Sequence, residues 1–197
     1  LKLKRWTYLL IGVLILGFIG LWTFKRFNYK SEFIVGQQID SLNGVLIYYN
    51  GGVGNVTGRN TTKEGYNLGL KFQCVEFVKR YYYEYLNHKM PDSYGRAKDF
   101  YDKNLKDGQT NMRRNLIQFS NPSQTKPKVD DLLIFGGTVF NKYGHVAIIS
   151  NVTEDEIEII QQNPGPFGKS RETFAIEKQN DKWTFKNDRI LGWLRKK

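Results

Sequence analysis

Gln73-Cys74-Val75-Glu76-Phe77-Val78 carries the only cysteine of the 197-residue chain, and the run continues to Leu86 with the periodicity of a helix. Apolar residues recur at Cys74, Phe77, Val78, Tyr81, Tyr82, Tyr85 and Leu86, the spacing of one buried face, with Glu76, Lys79, Arg80, Glu84 and Asn87 opposite. The expectation is a helix whose charged side, with local ion pairs, faces solvent. Gly65-Tyr66-Asn67-Leu68-Gly69 has the composition of a loop ahead of an abrupt helix entry. A thiol in the first helical turn lies among unpaired N–H groups at the positive end of the helix dipole, which favours its thiolate and predicts a lowered pKa. A small apolar residue filling a core position fits the same pattern, so the decision rests on finding a base.

The chain has two histidines. His88, in Asn87-His88-Lys89, reads as an exposed residue at the end of the helix. His145 opens Gly144-His145-Val146-Ala147-Ile148-Ile149, a glycine, a ring and an apolar run, as at the mouth of a buried strand. A turn over Thr153 to Asp155 and a second strand, Ile157-Glu158-Ile159-Ile160, lead to Gln161-Gln162-Asn163, antiparallel by the shortness of the link. This hairpin brings an amide towards the imidazole. A cysteine, a histidine and a third group that orients the ring form the cysteine counterpart of the serine triad.

Gln73-Cys74-Val75-Glu76-Phe77, then Gly144-His145-Val146-Ala147-Ile148-Ile149, then Gln162-Asn163 resembles the CHAP family, the cysteine, histidine-dependent amidohydrolases/peptidases of the papain-like superfamily. Within it the chain is most similar to the amidase domain of glutathionylspermidine synthetase/amidase. That likeness extends from about Gly36 to Trp193 and takes in Gly44-Val45-Leu46-Ile47-Tyr48 and Ile190-Leu191-Gly192-Trp193. The resemblance implies an α+β, papain-like domain, with a helix bearing the nucleophile Cys74 packed on an antiparallel sheet bearing the base His145. It also implies an orienting group at the end of the following strand. Where the amidase relatives carry glutamate, this chain has Gln161, which can fix the ring tautomer but cannot stabilise imidazolium as a carboxylate would. Asn163, two residues on, falls on the same face if the strand continues and is the competing candidate.

The first residues, Leu1-Lys2-Leu3-Lys4-Arg5, precede an uncharged stretch from Trp6 to Phe24 and then Lys25-Arg26. At about 1.5 Å per residue this stretch spans a hydrocarbon core of roughly 30 Å, and it reads as a membrane anchor. A cleaved signal peptide fits less well, because no small-x-small site precedes Lys25. The division expected is an anchor with basic flanks over 1–30 and a catalytic domain over 31–197, a single-pass protein with its catalytic domain outside the cytoplasm. Basic residues flank the anchor on both sides, so orientation follows from the exporting role of so short a leader and not from charge asymmetry.

Six of the 30 Lys and Arg flank the anchor, leaving 24 against 19 acidic residues beyond it. Such a mild surplus, without a basic stripe, argues against nucleic-acid binding; Arg113-Arg114 and Lys126 to Lys128 read as solvated loop charge. One cysteine and two histidines exclude a disulfide framework within the chain and any zinc-type cluster, and no cofactor is expected. Further elements expected are a turn at Asn43-Gly44 before a strand over Val45 to Tyr49, and an exposed loop over Asn50 to Gly65. A short helix over Ala97 to Asn104, a strand over Val129 to Phe135 and closing strands over Thr173 to Lys178, Trp183 to Lys186 and Ile190 to Trp193 follow. Asp130 and Asp131 read as turn carboxylates.

The function implied is cleavage of an amide bond through a thioester, with bacterial peptidoglycan peptides as the substrate of an exported domain. Two other possibilities stand beside it. One is a glutathionylspermidine-type amidase; the other, prompted by Gln161, is a tethered binding module without catalytic activity.

Overall fold

The computed structural model describes residues 2–26 and 32–197. It begins with helix α1 (Lys2–Arg26) and continues through β1 (Gln38–Leu42), β2 (Val45–Tyr48), β3 (Arg59–Thr61) and β4 (Asn67–Leu70) to helix α2 (Cys74–Glu84). After a 3-10 turn at Ala97–Phe100 come β5 (Thr110–Asn111), β6 (Leu116–Ser120), β7 (Leu132–Phe135), β8 (His145–Val152), β9 (Glu156–Ile160), β10 (Arg171–Gln179), β11 (Lys182–Phe185) and β12 (Ile190–Arg195). The fold is α+β. Lys4–Thr23 is long and apolar enough to cross a membrane. The boundary expected between residues 30 and 31 lies outside the described residues.

Eight strands form one antiparallel sheet in the order β11-β10-β9-β8-β7-β12-β6-β5. The histidine strand β8 is central, which is why its apolar run does not alternate with polar residues: both faces are covered. Val146 and Ile148 pack towards α2 with Phe77, Val78, Tyr81 and Tyr82. Ala147 and Ile149 face a second core with Leu133, Ile159, Phe185 and Trp193. At roughly 25 cal/mol per Å² of apolar surface, this two-sided burial holds β8, and so the backbone at His145, in place.

Two tight approaches fix the ends of the site elements. Gly69, at φ +135°, lets β4 lie against α2, where a Cβ would sit 3.1 Å from the Glu76 backbone. Gly144, at φ +76°, precedes the histidine where a Cβ would fall 2.5 Å from the Phe135 carbonyl oxygen. A side chain at either position forces the backbone apart.

Several expectations need correction. The stretch Gly65 to Gly69 is not all loop, because Asn67–Leu70 pairs with β3. The helix expected over Ala97 to Asn104 is a single 3-10 turn, and the strand expected from Val129 starts at Leu132, after Asp130 takes up φ +72°. Asp130 and Asp131 do sit at a turn, where Lys128 N donates to Asp131 Oδ2 at 2.8 Å; in addition buried Asp131 pairs with Arg195 at 2.6 Å, and Asp130 accepts from the Tyr81 hydroxyl at 2.5 Å.

The charged side of α2 is also buried: Glu76, Lys79 and Arg80 are 2, 1 and 5% exposed. Strands β2 and β4 and the loop at Ser93 cover that side, so the helix is enclosed nearly all round. His88, expected at the surface, is buried with its Nε2 2.9 Å from the Arg114 carbonyl oxygen, and Arg114, read as solvated, is fully buried. Buried cations of this kind persist only where oxygen acceptors surround them. Here those acceptors are the Glu76 carboxylate, the strand carbonyls of Leu46 and Asn67, and the carbonyls of the irregular segment at Asp92 to Tyr94.

Candidate active site

Cys74 is the first residue of α2, after Gln73 in extended conformation and Phe72 at φ +65°. It lines a cavity of about 540 Å³ together with His145. Backbone N–H groups of Val146, Val75 and Cys74 act on the sulfur, so it sits beside the first residues of β8. The helix entry is braced by side chains. Gln73 Nε2 donates to the Asn55 carbonyl at 2.8 Å, and Gln162 Nε2 donates to the Gln73 carbonyl at 3.1 Å.

His145 Nε2 lies 2.7 Å from Gln161 Oε1. The orientation of that amide follows from its other end, where Gln161 Nε2 donates to the Lys169 carbonyl at 3.1 Å and to Glu172 Oε2 at 3.2 Å. Two oxygen acceptors there fix the nitrogen, so oxygen faces the ring. His145 therefore carries its proton on Nε2, and Nδ1 is the free basic nitrogen.

Ile148 faces Ile160 in register. Continuing that alternation sets Gln161 on the face of His145 and Gln162 on the face of α2, where Gln162 Nε2 donates to Glu76 Oε2 at 2.8 Å. Asn163 does not continue the alternation. At φ +53° it leaves the strand, and its Nδ2 donates to the Val53 carbonyl at 3.0 Å and to Gln73 Oε1 at 2.8 Å. It lines the cavity without reaching the imidazole in hydrogen-bond contact.

Electrostatically the site departs from the expected low thiol pKa. Burial pushes the Cys74 thiol up to about 11, outweighing the N–H groups around it. Burial also pushes His145 down to about 4, against the Gln161 hydrogen bond and with a small further push from Arg189. Both shifts favour a neutral thiol beside a neutral imidazole at neutral pH. The helix terminus loses here because it offers only about half an elementary charge, whereas desolvation acts on the whole charge of the thiolate.

The opposite wall of the cavity is built from Ser93, Tyr94, Gly95 and Arg96, none of which the sequence marked. Two buried cations hold it. Lys79 Nζ donates to the Ser93 carbonyl at 2.6 Å and to the Asn67 carbonyl, and burial pushes its amine down to about 7. Arg114 donates to the carbonyls of Asp92 and, at 3.1 Å, Tyr94. Arg59 and Arg96 are exposed on the rim, and no carboxylate lines the cavity. No group of three or more metal-ligating side chains occurs among the described residues.

The CHAP domain family model matches residues 62–163. The chain is 33% identical over 107 residues to trypanothione synthetase of Crithidia fasciculata, covering 54% of this chain and 16% of that protein. It is 32% identical over 139 residues to the bifunctional glutathionylspermidine synthetase/amidase of Escherichia coli (strain K12), covering 64% of this chain and 22% of that protein. The chain thus spans about a fifth of the length of these curated relatives. Among solved structures, that of Ly7917 with the hydrolyzing product of MDP aligns at a TM-score of 0.38 and 14% identity, over 64% of this chain and 54% of that one.

Proposed function

This chain belongs to the CHAP domain family, and from that premise we propose that it is a membrane-anchored cysteine amidohydrolase of papain-like architecture, cleaving peptide amide bonds of peptidoglycan. The observation that carries the proposal is the shared cavity of Cys74 and His145, with Gln161 Oε1 2.7 Å behind the ring.

In this reading His145 Nδ1 takes the thiol proton as Cys74 Sγ adds to the carbonyl carbon. The oxyanion is held by N–H groups at the start of α2. The proton on Nδ1 then passes to the departing amine as the C–N bond breaks, leaving a thioester. His145 next takes a proton from water as it adds to the thioester carbonyl; the C–S bond breaks, the imidazolium returns that proton to the departing Cys74 sulfur, and the carboxylic acid product is released. Gln161 holds the Nε2–H tautomer throughout. Starting from a neutral pair, proton transfer accompanies attack and does not precede it.

A pH consequence follows. The base works when neutral, and a pKa of about 4 keeps it neutral through most of the acidic range. The acid limb of kcat/KM is expected near pH 4, below the ordinary histidine value of about 6.5. Gln161→Glu combined with Glu172→Gln places one carboxylate on the ring and favours imidazolium, so the limb should move upward. A limb near 6.5 in the unmodified chain, or one unmoved in the variant, contradicts the assignment.

The cavity also favours one substrate class. Arg59 and Arg96 stand on a rim with no opposing acid, which suits stem peptides with free carboxylates and disfavours a polyamine amide. The glutathionylspermidine-type alternative draws its support from the 32% identity to a synthetase/amidase. Competition between a carboxylate-bearing muropeptide and glutathionylspermidine separates the two. Arg59→Glu with Arg96→Glu is expected to lower kcat/KM for the muropeptide about tenfold or more while leaving its amidated form little affected. Preference for glutathionylspermidine, or indifference to both substitutions, favours the alternative.

A further inference from the structure

Resting on the membrane-anchor reading above, we infer that the rim of the Cys74 cavity docks on an anionic bilayer surface, so that the cleft opens at the lipid interface. The first support is where the chain enters the domain. Val35 packs on Gly51, where a Cβ would lie 2.9 Å from Val35 Cγ2, and the Phe33 ring lies 5.5 Å from that of Tyr49. Gly51 belongs to the loop whose Val53, Gly54 and Val56 line the cavity. The entry point is therefore on the cavity side of the domain.

The second support is reach. Five residues, 27–31, separate Arg26 of α1 from Glu32. In any conformation they span at most about 20 Å, comparable to the radius of a domain of this size, roughly 15–20 Å. The side from which the chain enters cannot be carried far from the bilayer that holds α1.

The third support is the surface itself. Outside α1, several exposed large apolar side chains lie at the entry, on the cavity rim or on the turn before His145: Ile34, then Val56, Tyr94 and Tyr143, then Val139 and Phe140 at 98 and 73% exposure, while Tyr85, Met112, Val129 and Phe167 are exposed elsewhere. Val139 and Phe140 occupy the tip of the turn that delivers His145. Thr138 N donates to the Asn141 carbonyl at 2.8 Å, and Asn141 N donates to Thr138 Oγ1 at 2.9 Å, so the tip is held in shape. Exposed apolar side chains at a cavity mouth and on the adjoining turn mark an interaction face. Exposed Lys142, two residues after Phe140, matches anionic headgroups, and an apolar tip flanked by a basic residue suits the headgroup boundary.

The test uses the full chain in vesicles of phosphatidylcholine and phosphatidylglycerol, in a Cys74→Ala background that leaves one thiol for labelling. An environment-sensitive fluorophore is placed at Phe140→Cys or, as control, at Lys182→Cys on β11. Blue-shifted emission at 140, with quenching by a shallow spin-labelled lipid at least about threefold stronger than at 182, supports docking. Adding Lys142→Glu should weaken it. Equal, water-like emission at both positions while the chain still floats with the vesicles overturns docking, leaves the anchor standing and turns this face towards a protein partner. Failure of the chain to float with the vesicles overturns the anchor and the docking together.

Discussion

Changing Cys74 to alanine is expected to lower kcat/KM for peptide amide hydrolysis by roughly 10⁴–10⁶-fold, the range found when a covalent nucleophile is removed. Cys74 is the only thiol in the chain, so no neighbouring group can replace it. Its position at the start of α2 sets the sulfur beside Val146 and the helix N–H groups. His145→Ala should cost a similar factor, because a thiol pushed up to about 11 is almost entirely protonated at neutral pH and needs a base at the moment of attack. The double variant should be scarcely worse than either single one, since two residues that act as a unit do not lose activity additively. Hydrolysis by the Cys74→Ala chain at more than a small fraction of the original rate contradicts the assignment. Binding of peptide without turnover by the unmodified chain would instead support the tethered-module alternative.

The second large effect is on stability. Glu76 is buried with its Oε1 accepting from Arg80 Nε at 2.7 Å and from Asn60 Nδ2 at 2.8 Å, while Oε2 accepts from Gln162. Arg80 in turn donates to the Leu46 carbonyl at 2.7 Å. Removing the carboxylate alone, as in Glu76→Ala, leaves the guanidinium buried and two amides without their acceptor. A loss of about 3–5 kcal/mol is expected, which for a domain of this size lowers Tm by about 10 °C. Glu76→Ala with Arg80→Met should recover much of the loss, because the uncompensated charge is what costs most. Thermal unfolding of the unmodified chain and the two variants in one detergent decides. A shift of only a degree or two in Glu76→Ala means that the pair is solvated.

The buried pair also shows why part of the molecule was legible in the sequence and part was not. Elements whose burial follows a period could be read. The Cys74 face of α2, the strands around His145 and Ile157, the Asn43-Gly44 turn between β1 and β2 and the closing strands all fall near their expected places. Strand alternation alone leaves Gln161 and Asn163 on one face as partners for His145; what separates them is the break at Asn163, whose left-handed backbone no local pattern announces.

The cavity wall opposite the cysteine was invisible for a different reason. Ser93 to Arg96 is irregular, and its shape depends on Lys79 and Arg114 reaching in from elements distant in sequence. On a helical wheel Lys79 looks solvent-facing, and Arg114 looks like loop charge. Only the packing of β2, β4 and the Ser93 loop reveals that they are internal donors. The sign of the Cys74 shift escaped for a related reason, since the helix terminus is visible in a sequence and the depth of burial is not.

The nucleophile is tested most directly by trapping the acyl group. The full chain is incubated with muropeptides in neutral hydroxylamine, and the products are analysed by mass spectrometry beside those of Cys74→Ala. A thioester on Cys74 partitions to the nucleophile, so the unmodified chain should yield acyl hydroxamate together with the released amine, and the variant should yield neither. Equal cleavage by both chains, or release of carboxylate with no hydroxamate at any hydroxylamine concentration, contradicts a covalent intermediate on Cys74.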